Sequence, residues 1–165
     1  MTNQRTDYIS WDDYFMGVAM LSAMRSKDPS SQVGSCIVNK NKRIVGIGYN
    51  GAPRGFPDED FPWAREGKLL ETKYPFVVHS EANAIINATE NLDGCKIYVA
   101  LIPCNECAKL IAQSGIKEVI MISDKHKDLD AFKATPTIFK HAGVKMRLYK
   151  PDNEKLIVDF NKIKK

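Results

Sequence analysis

Apolar positions first recur with helical spacing at Tyr14, Phe15, Val18, Ala19, Leu21 and Met24, down to about Arg25. Ser10-Trp11-Asp12-Asp13 reads as the helix start, with Ser10 at the N-cap and Asp13 reaching back in a variant of the capping box. Asp28-Pro29-Ser30-Ser31 breaks the pattern. Two β-rich runs follow, 33–38 and 43–49, and the polar Asn39-Lys40-Asn41-Lys42 between them predicts a hairpin. From Asn50 to about Pro75 no period holds. Pro53, Pro57, Pro62 and Pro75 alternate there with Gly51, Gly55 and Gly67, and so long a loop in a compact domain is usually functional.

Helical spacing returns from Ser80 to about Asn91, through Ala82, Ala84, Ile85, Ile86 and Ala88, and Gly94 ends the turn beyond it. The remainder alternates: strand 96–101, helix 105–114 closed by Gly115, strand 118–122, helix 131–142 stopped by Gly143, strand 144–148. Strand–helix–strand order implies parallel crossovers with helices on the sheet faces. With the opening hairpin, the expectation is one α/β domain over 1–165, built on a mixed sheet of about five strands. Residues 156–160 (Leu-Ile-Val-Asp-Phe) form an apolar patch that packs on the domain or on a neighbouring subunit, and the sequence leaves both open.

Composition agrees with a folded chain. Of 165 residues 44% are hydrophobic, enough for a core, and 27% are charged, near the norm for soluble proteins. No apolar run approaches the roughly 20 residues of a membrane helix. Met1 to Asp7 lack the apolar stretch and cleavage site of a secretory signal, so a cytoplasmic location is expected. The net charge of +4 owes part of its excess to Lys162, Lys164 and Lys165, and acids and bases alternate elsewhere. That balance suits a small anionic substrate better than a long nucleic acid, whose binders concentrate cations on one stripe.

Cysteine placement sharpens the picture. Cys36 and Cys95 lie in apolar, strand-like runs and read as buried small hydrophobes. Cys104 and Cys107 form a C-x-x-C directly after Pro103, at a predicted helix start, where the helix dipole and free N–H groups favour thiolate. His79-Ser80-Glu81 opens the preceding predicted helix. His79, Cys104 and Cys107 supply three ligands for zinc, and a closed structural site would need a fourth. His126 and His141 lie in later segments without paired spacing. Glu81, two residues from His79, is placed to act on metal-activated water, whose pKa zinc brings toward ~7. The combined H-x-E…P-C-x-x-C is a signature of zinc-dependent nucleobase deaminases, and the chemistry is taken from that signature, not from spacing alone.

The chain resembles the deoxycytidylate (dCMP) deaminase family of the cytidine deaminase superfamily from about Ile9 to Tyr149. The matching stretches are Arg25-Ser26-Lys27-Asp28-Pro29, Ser31-Gln32-Val33-Gly34, Ile44-Val45-Gly46-Ile47-Gly48-Tyr49-Asn50-Gly51, His79-Ser80-Glu81-Ala82-Asn83-Ala84-Ile85, and the run from Tyr98 to Lys109 that holds Pro103-Cys104-Asn105-Glu106-Cys107. The resemblance implies a three-layer α/β/α fold and hydrolytic deamination of dCMP to dUMP. It makes His79, Cys104 and Cys107 the ligands of one zinc per chain, and Glu81 the general acid/base that protonates N3 and then the leaving amine. Asn50, Ser80 and Pro103 become substrate-binding residues, Asn50 toward the deoxyribose, although Asn50-Gly51 is also a strong turn dipeptide. It further implies a homohexamer activated by dCTP with Mg²⁺ and inhibited by dTTP, with Arg25, Lys27, Asn50, Gly51 and Gly55 as candidate regulatory residues. Some phage members carry a second zinc on extra cysteines and histidines around the long loop; this chain has no Cys or His between Cys36 and His79. Three alternatives stay open: a deaminase of both dCMP and dCTP, a nucleic-acid cytosine or adenine deaminase, and a non-catalytic zinc-binding module.

Overall fold

In the computed structural model, which describes residues 4–161, five strands form one sheet in the order β2-β1-β3-β4-β5. β1 (Gly34–Val38) pairs antiparallel with β2 (Ile44–Tyr49) and with β3 (Lys96–Leu101), while β4 (Glu118–Ser123) runs parallel to β3 and to β5 (Lys145–Leu148). The chain therefore forms the mixed five-stranded α/β sheet that its alternation implies. Helix α1 (Trp11–Ala23) covers one face, packing Phe15, Met16 and Ala19 against Cys36, Val38, Tyr98 and Ile120. On the other face α2 (Ser80–Ile86), α3 (Asn105–Gln113) and α5 (Thr135–Ala142) bring Ala84, Ala108, Ile111 and Phe139 onto Ile37, Ile97, Val99 and Val119. Cys36 and Val38 belong to the α1 side and Ile37 to the other, the period of two expected of a strand covered on both faces.

Two helices differ from the sequence reading. α2 ends at Ile86 instead of near Asn91, because the Thr89 backbone N–H and hydroxyl both donate to the Val45 carbonyl and turn the chain back to β2. The helix expected over 131–142 is two, α4 (Asp130–Lys133) and α5, divided at Ala134. Pro136 accounts for the break: it has no N–H for the helical ladder, and its ring excludes the carbonyl four residues earlier. In the first turn of α5 the missing donor costs little. Gly143 does stop α5, in the left-handed conformation (φ 67°) that favours glycine.

Ser10 caps α1, its hydroxyl accepting the Asp13 N–H at 3.1 Å. The Asp13 carboxylate does not close the capping box. It accepts Tyr149 O–H at 2.6 Å, Asn153 Nδ2 at 2.7 Å and Asp152 N–H at 3.3 Å, tying the segment after β5 to α1. Burial alone would raise the Asp13 carboxyl; these donors hold it below the ordinary value. In the 156–160 patch, Leu156 lies against α1 at Gly17 while Ile157 and Phe160 are exposed. Residues 1–3, part of the stretch read for a secretory signal, and Lys162, Lys164 and Lys165 lie outside the described residues. Among those described, no helix is long and apolar enough to cross a membrane.

Candidate metal centre and its cavity

Two helix starts converge beside the sheet. His79 is the N-cap of α2 and Cys104 the N-cap of α3, both in extended backbone, with Cys107 in the first turn of α3. Gly51 and Val78 exchange both backbone hydrogen bonds, at 3.0 and 2.9 Å, so the long loop leaves β2 and returns to it just before His79. The loop thus ends where α2 must begin. His79 Nδ1 lies 3.4 Å from the sulfurs of both Cys104 and Cys107, and the three ligand atoms lie within 4.8 Å of one another. No other group of three such ligands occurs among the described residues.

The donor chemistry fits a zinc ion. Both cysteines are buried, and His79 keeps solvent contact. The hydrogen bond from Cys107 draws the Cys104 thiol well below its ordinary value, with help from His79, while the same bond and burial push Cys107 up. One thiolate is therefore already favoured. The Cys104 hydrogen bond in turn raises His79 against the cost of its burial. One imidazole and two sulfurs are ligands that borderline-soft Zn²⁺ accepts, and three of them leave one tetrahedral position unused. Cys36 and Cys95 are buried elsewhere, and burial pushes the Cys36 thiol up to about 12, the state of an unreactive thiol.

Glu81 is buried beside this cluster, and burial raises its carboxyl against the pull of His79 and of its hydrogen bonds. The Ser80 hydroxyl donates to Glu81 Oε2 at 2.8 Å, and the hydroxyls of Ser80 and of Ser35 on β1 are 2.8 Å apart. A hydroxyl relay thus ties the carboxyl to the sheet. His79, Ser80, Glu81 and Cys104 open on a cavity of about 440 Å³, which Asn50 also lines. Asn50 Oδ1 accepts Val33 N–H at 2.8 Å, and its Nδ2 donates to the Ser31 carbonyl at 2.9 Å and to Asp28 Oδ2 at 3.3 Å. Its amide is largely occupied in shaping the cavity wall. Pro103 directly precedes the N-cap of α3 and is buried, its carbonyl accepting the Thr135 hydroxyl of α5 at 3.0 Å, and the cavity is lined by its neighbours Ile102 and Cys104 but not by Pro103 itself.

Arg25, Lys27, Gly51 and Gly55 lie outside the lining. Arg25 is exposed beyond α1, Lys27 pairs with Asp58 on the long loop, and Gly55 turns there with φ 88°. Several lining residues are absent from the sequence reading of the site: Asp28, Arg65, Lys73, Tyr74, His126 and Phe132. The length of the proline-rich loop pointed toward function, but not to these positions in it.

The chain matches the family model described as the cytidine and deoxycytidylate deaminase zinc-binding region over residues 9–123. It is 56% identical to the deoxycytidylate deaminase of Mus musculus and 55% identical to that of Homo sapiens, in each case over 97% of this chain and 91% of the relative. Among solved structures it is similar to the dCMP deaminase of cyanophage S-TIM5 in complex with dCMP and dUMP, with a TM-score of 0.67 and 28% identity over 83% of this chain and 95% of that one.

Proposed function

The chain belongs to the cytidine and deoxycytidylate deaminase family, an enzyme family, and from that membership we propose that it converts dCMP and water to dUMP and ammonia. The observation that carries the reading is the His79–Cys104–Cys107 cluster with the buried Glu81 beside it, opening on one nucleoside-sized cavity. His79, Cys104 and Cys107 are the residues that would hold zinc. When bound there, the ion supplies Lewis-acid activation of water, which makes a nucleophile accessible near neutral pH.

Hydration of the C4=N3 bond needs a base for the proton of the attacking water and an acid at N3, and Glu81 serves as both in turn. Glu81 then takes the remaining proton from the hydroxyl now on C4 and delivers it to the exocyclic nitrogen, so that the C4–N bond breaks, ammonia leaves and C4 becomes the carbonyl of dUMP. Ser80, fixed by Ser35, holds the Glu81 carboxyl in one orientation through these transfers. Asn50 and the loop around it shape the sugar end of the cavity. The acidic run Asp58-Glu59-Asp60 on the same loop favours a mononucleotide over a polynucleotide substrate.

Ammonia release from cytidine, CMP, dCMP and dCTP tests the reading; dCMP is expected to be the fastest, and no release from dCMP overturns it. The finer proposals are one domain over the whole chain, a cytoplasmic enzyme, a homohexamer, activation by dCTP with Mg²⁺ and inhibition by dTTP. Arg25, Lys27, Asn50, Gly51 and Gly55 are candidates for the triphosphate, supported by the chemistry of cationic side chains and glycine turns. Kinetics that stay hyperbolic and unchanged by either nucleotide would remove the regulatory proposal. Metal analysis is expected to find one zinc per chain, with zinc and turnover lost together in Cys104→Ala; a ratio near two contradicts the single-site reading.

A further inference from the structure

One wall of the cavity, away from the three metal-ligating side chains, carries a buried ion pair. Lys73 Nζ lies 2.5 Å from Asp28 Oδ2, the two side chains being 7% and 2% exposed, and both residues line the cavity. The carboxylate is fully engaged. Its Oδ1 accepts the N–H groups of Ser30 and Ser31 at 2.8 and 3.1 Å, and its Oδ2 accepts Asn50 Nδ2 as well as Lys73. The ammonium is not. It has three N–H donors, and Asp28 is its one protein partner among the described residues.

Burying an ammonium is costly unless its protons find acceptors, so two donors in a cavity wall call for an acceptor that arrives with the ligand. The Lys73 backbone is anchored at both its polar groups, which fixes where the side chain starts. Its N–H donates to the Ala64 carbonyl at 3.0 Å, and its own carbonyl accepts the Phe76 and Val77 N–H groups at 3.1 and 2.8 Å. The same loop places Tyr74 and Arg65 in the lining, with Arg65 Nε 3.5 Å from the Tyr74 hydroxyl. Arg65 makes no ion pair among the described residues, whereas Glu106, also in the lining, is paired with Lys109. Asp28 is saturated and Glu81 stands at the metal cluster. The uncommitted polar capacity of this wall is cationic.

We infer that Lys73 binds the phosphate of the nucleotide substrate, with Arg65 and the Tyr74 hydroxyl at the rim, and so sets the preference for a nucleoside monophosphate over the free nucleoside. This rests on reading the cavity as a pyrimidine mononucleotide site. Asp28 is then a positioning residue: it holds Lys73 and Asn50 on one carboxylate, so that the phosphate and sugar sides of the wall keep a fixed spacing. A pair kept for packing alone would be replaceable by neutral side chains with no effect on ligand choice.

Calorimetric titration of the zinc-loaded protein with dUMP and with deoxyuridine separates these roles. Lys73→Met is expected to weaken dUMP binding about 10- to 100-fold, the range of a charge-assisted hydrogen bond, and deoxyuridine binding by a much smaller factor. Because Lys73→Met strands a buried carboxylate, the Asp28→Asn, Lys73→Met double variant, which removes both charges, carries the test if the single variant melts early. An equal loss for both ligands, or none for either, overturns the inference. A third probe, 2′,3′-dideoxyuridine monophosphate, distinguishes the oxygen read: if Lys73→Met no longer matters once the 3′-hydroxyl is absent, the contact is to the sugar and the phosphate assignment is wrong. Wild-type protein that neither binds dUMP nor releases ammonia from dCMP removes the underlying reading instead.

Discussion

Glu81→Gln is expected to lower ammonia release from dCMP by about 10²–10⁴-fold while leaving the zinc content unchanged. Glutamine keeps the size and shape of the side chain and still accepts the Ser80 hydroxyl, so the packing of α2 is preserved. It cannot take up and return a proton. The ligand atoms of His79, Cys104 and Cys107 are untouched, and losing a buried carboxyl relieves a desolvation cost instead of adding one. Parallel metal analysis and turnover on one preparation decide the matter. A variant that keeps its activity would show that the proton passes elsewhere, and a wild type with zinc but no turnover would favour a non-catalytic binding module.

How far the sequence carried this site depends on how local each feature is. His79 and Glu81 are two residues apart, Cys104 and Cys107 three apart after a proline, and both pairs sit at helix starts that periodicity alone marks. The sheet was legible for the same reason, since strand period and the strand–helix alternation are properties of short windows. Lys73 and Asp28 are not legible that way. A lysine among prolines and glycines looks solvated, and only the closure of the loop through Gly51 and Val78 lays it against a carboxylate 45 positions earlier. Asp13 likewise satisfied a local capping pattern, yet Tyr149 and Asn153, far downstream, claim its carboxylate. Pro136 was the opposite case: the residue that divides the last predicted helix was visible in the sequence, but the helical spacing around it concealed its effect.

Gly48→Ala is expected to lose zinc and activity together, and to lower stability by roughly 1–3 kcal/mol or more, the cost of overpacking a filled core. A Cβ at Gly48 would fall 2.2 Å from the Ser80 carbonyl oxygen and 2.3 Å from the Ala84 nitrogen, both backbone atoms of α2. Gly46, two residues earlier on the same face of β2, would meet the Ala84 carbonyl oxygen at 2.5 Å. β2 therefore presents a glycine track on which α2 lies backbone to backbone, and no side-chain rotation can make room there. The added methyl must move the helix, and that helix begins at His79 and carries Glu81, whereas Cys104 and Cys107 belong to α3 and stay behind. Displacing α2 by even part of the overlap opens the 3.4 Å spacing between the imidazole and the two sulfurs. Gly143→Ala provides the contrast. Its φ of 67° costs an alanine about 1–2 kcal/mol, but no atom lies within 4 Å of the new methyl and Gly143 is not in the cavity lining. That variant should melt earlier and keep its zinc. Thermal melts and metal analysis on the two variants test the link between the glycine track and the site; full zinc occupancy in Gly48→Ala would mean that α2 is not what holds His79 against the cysteines.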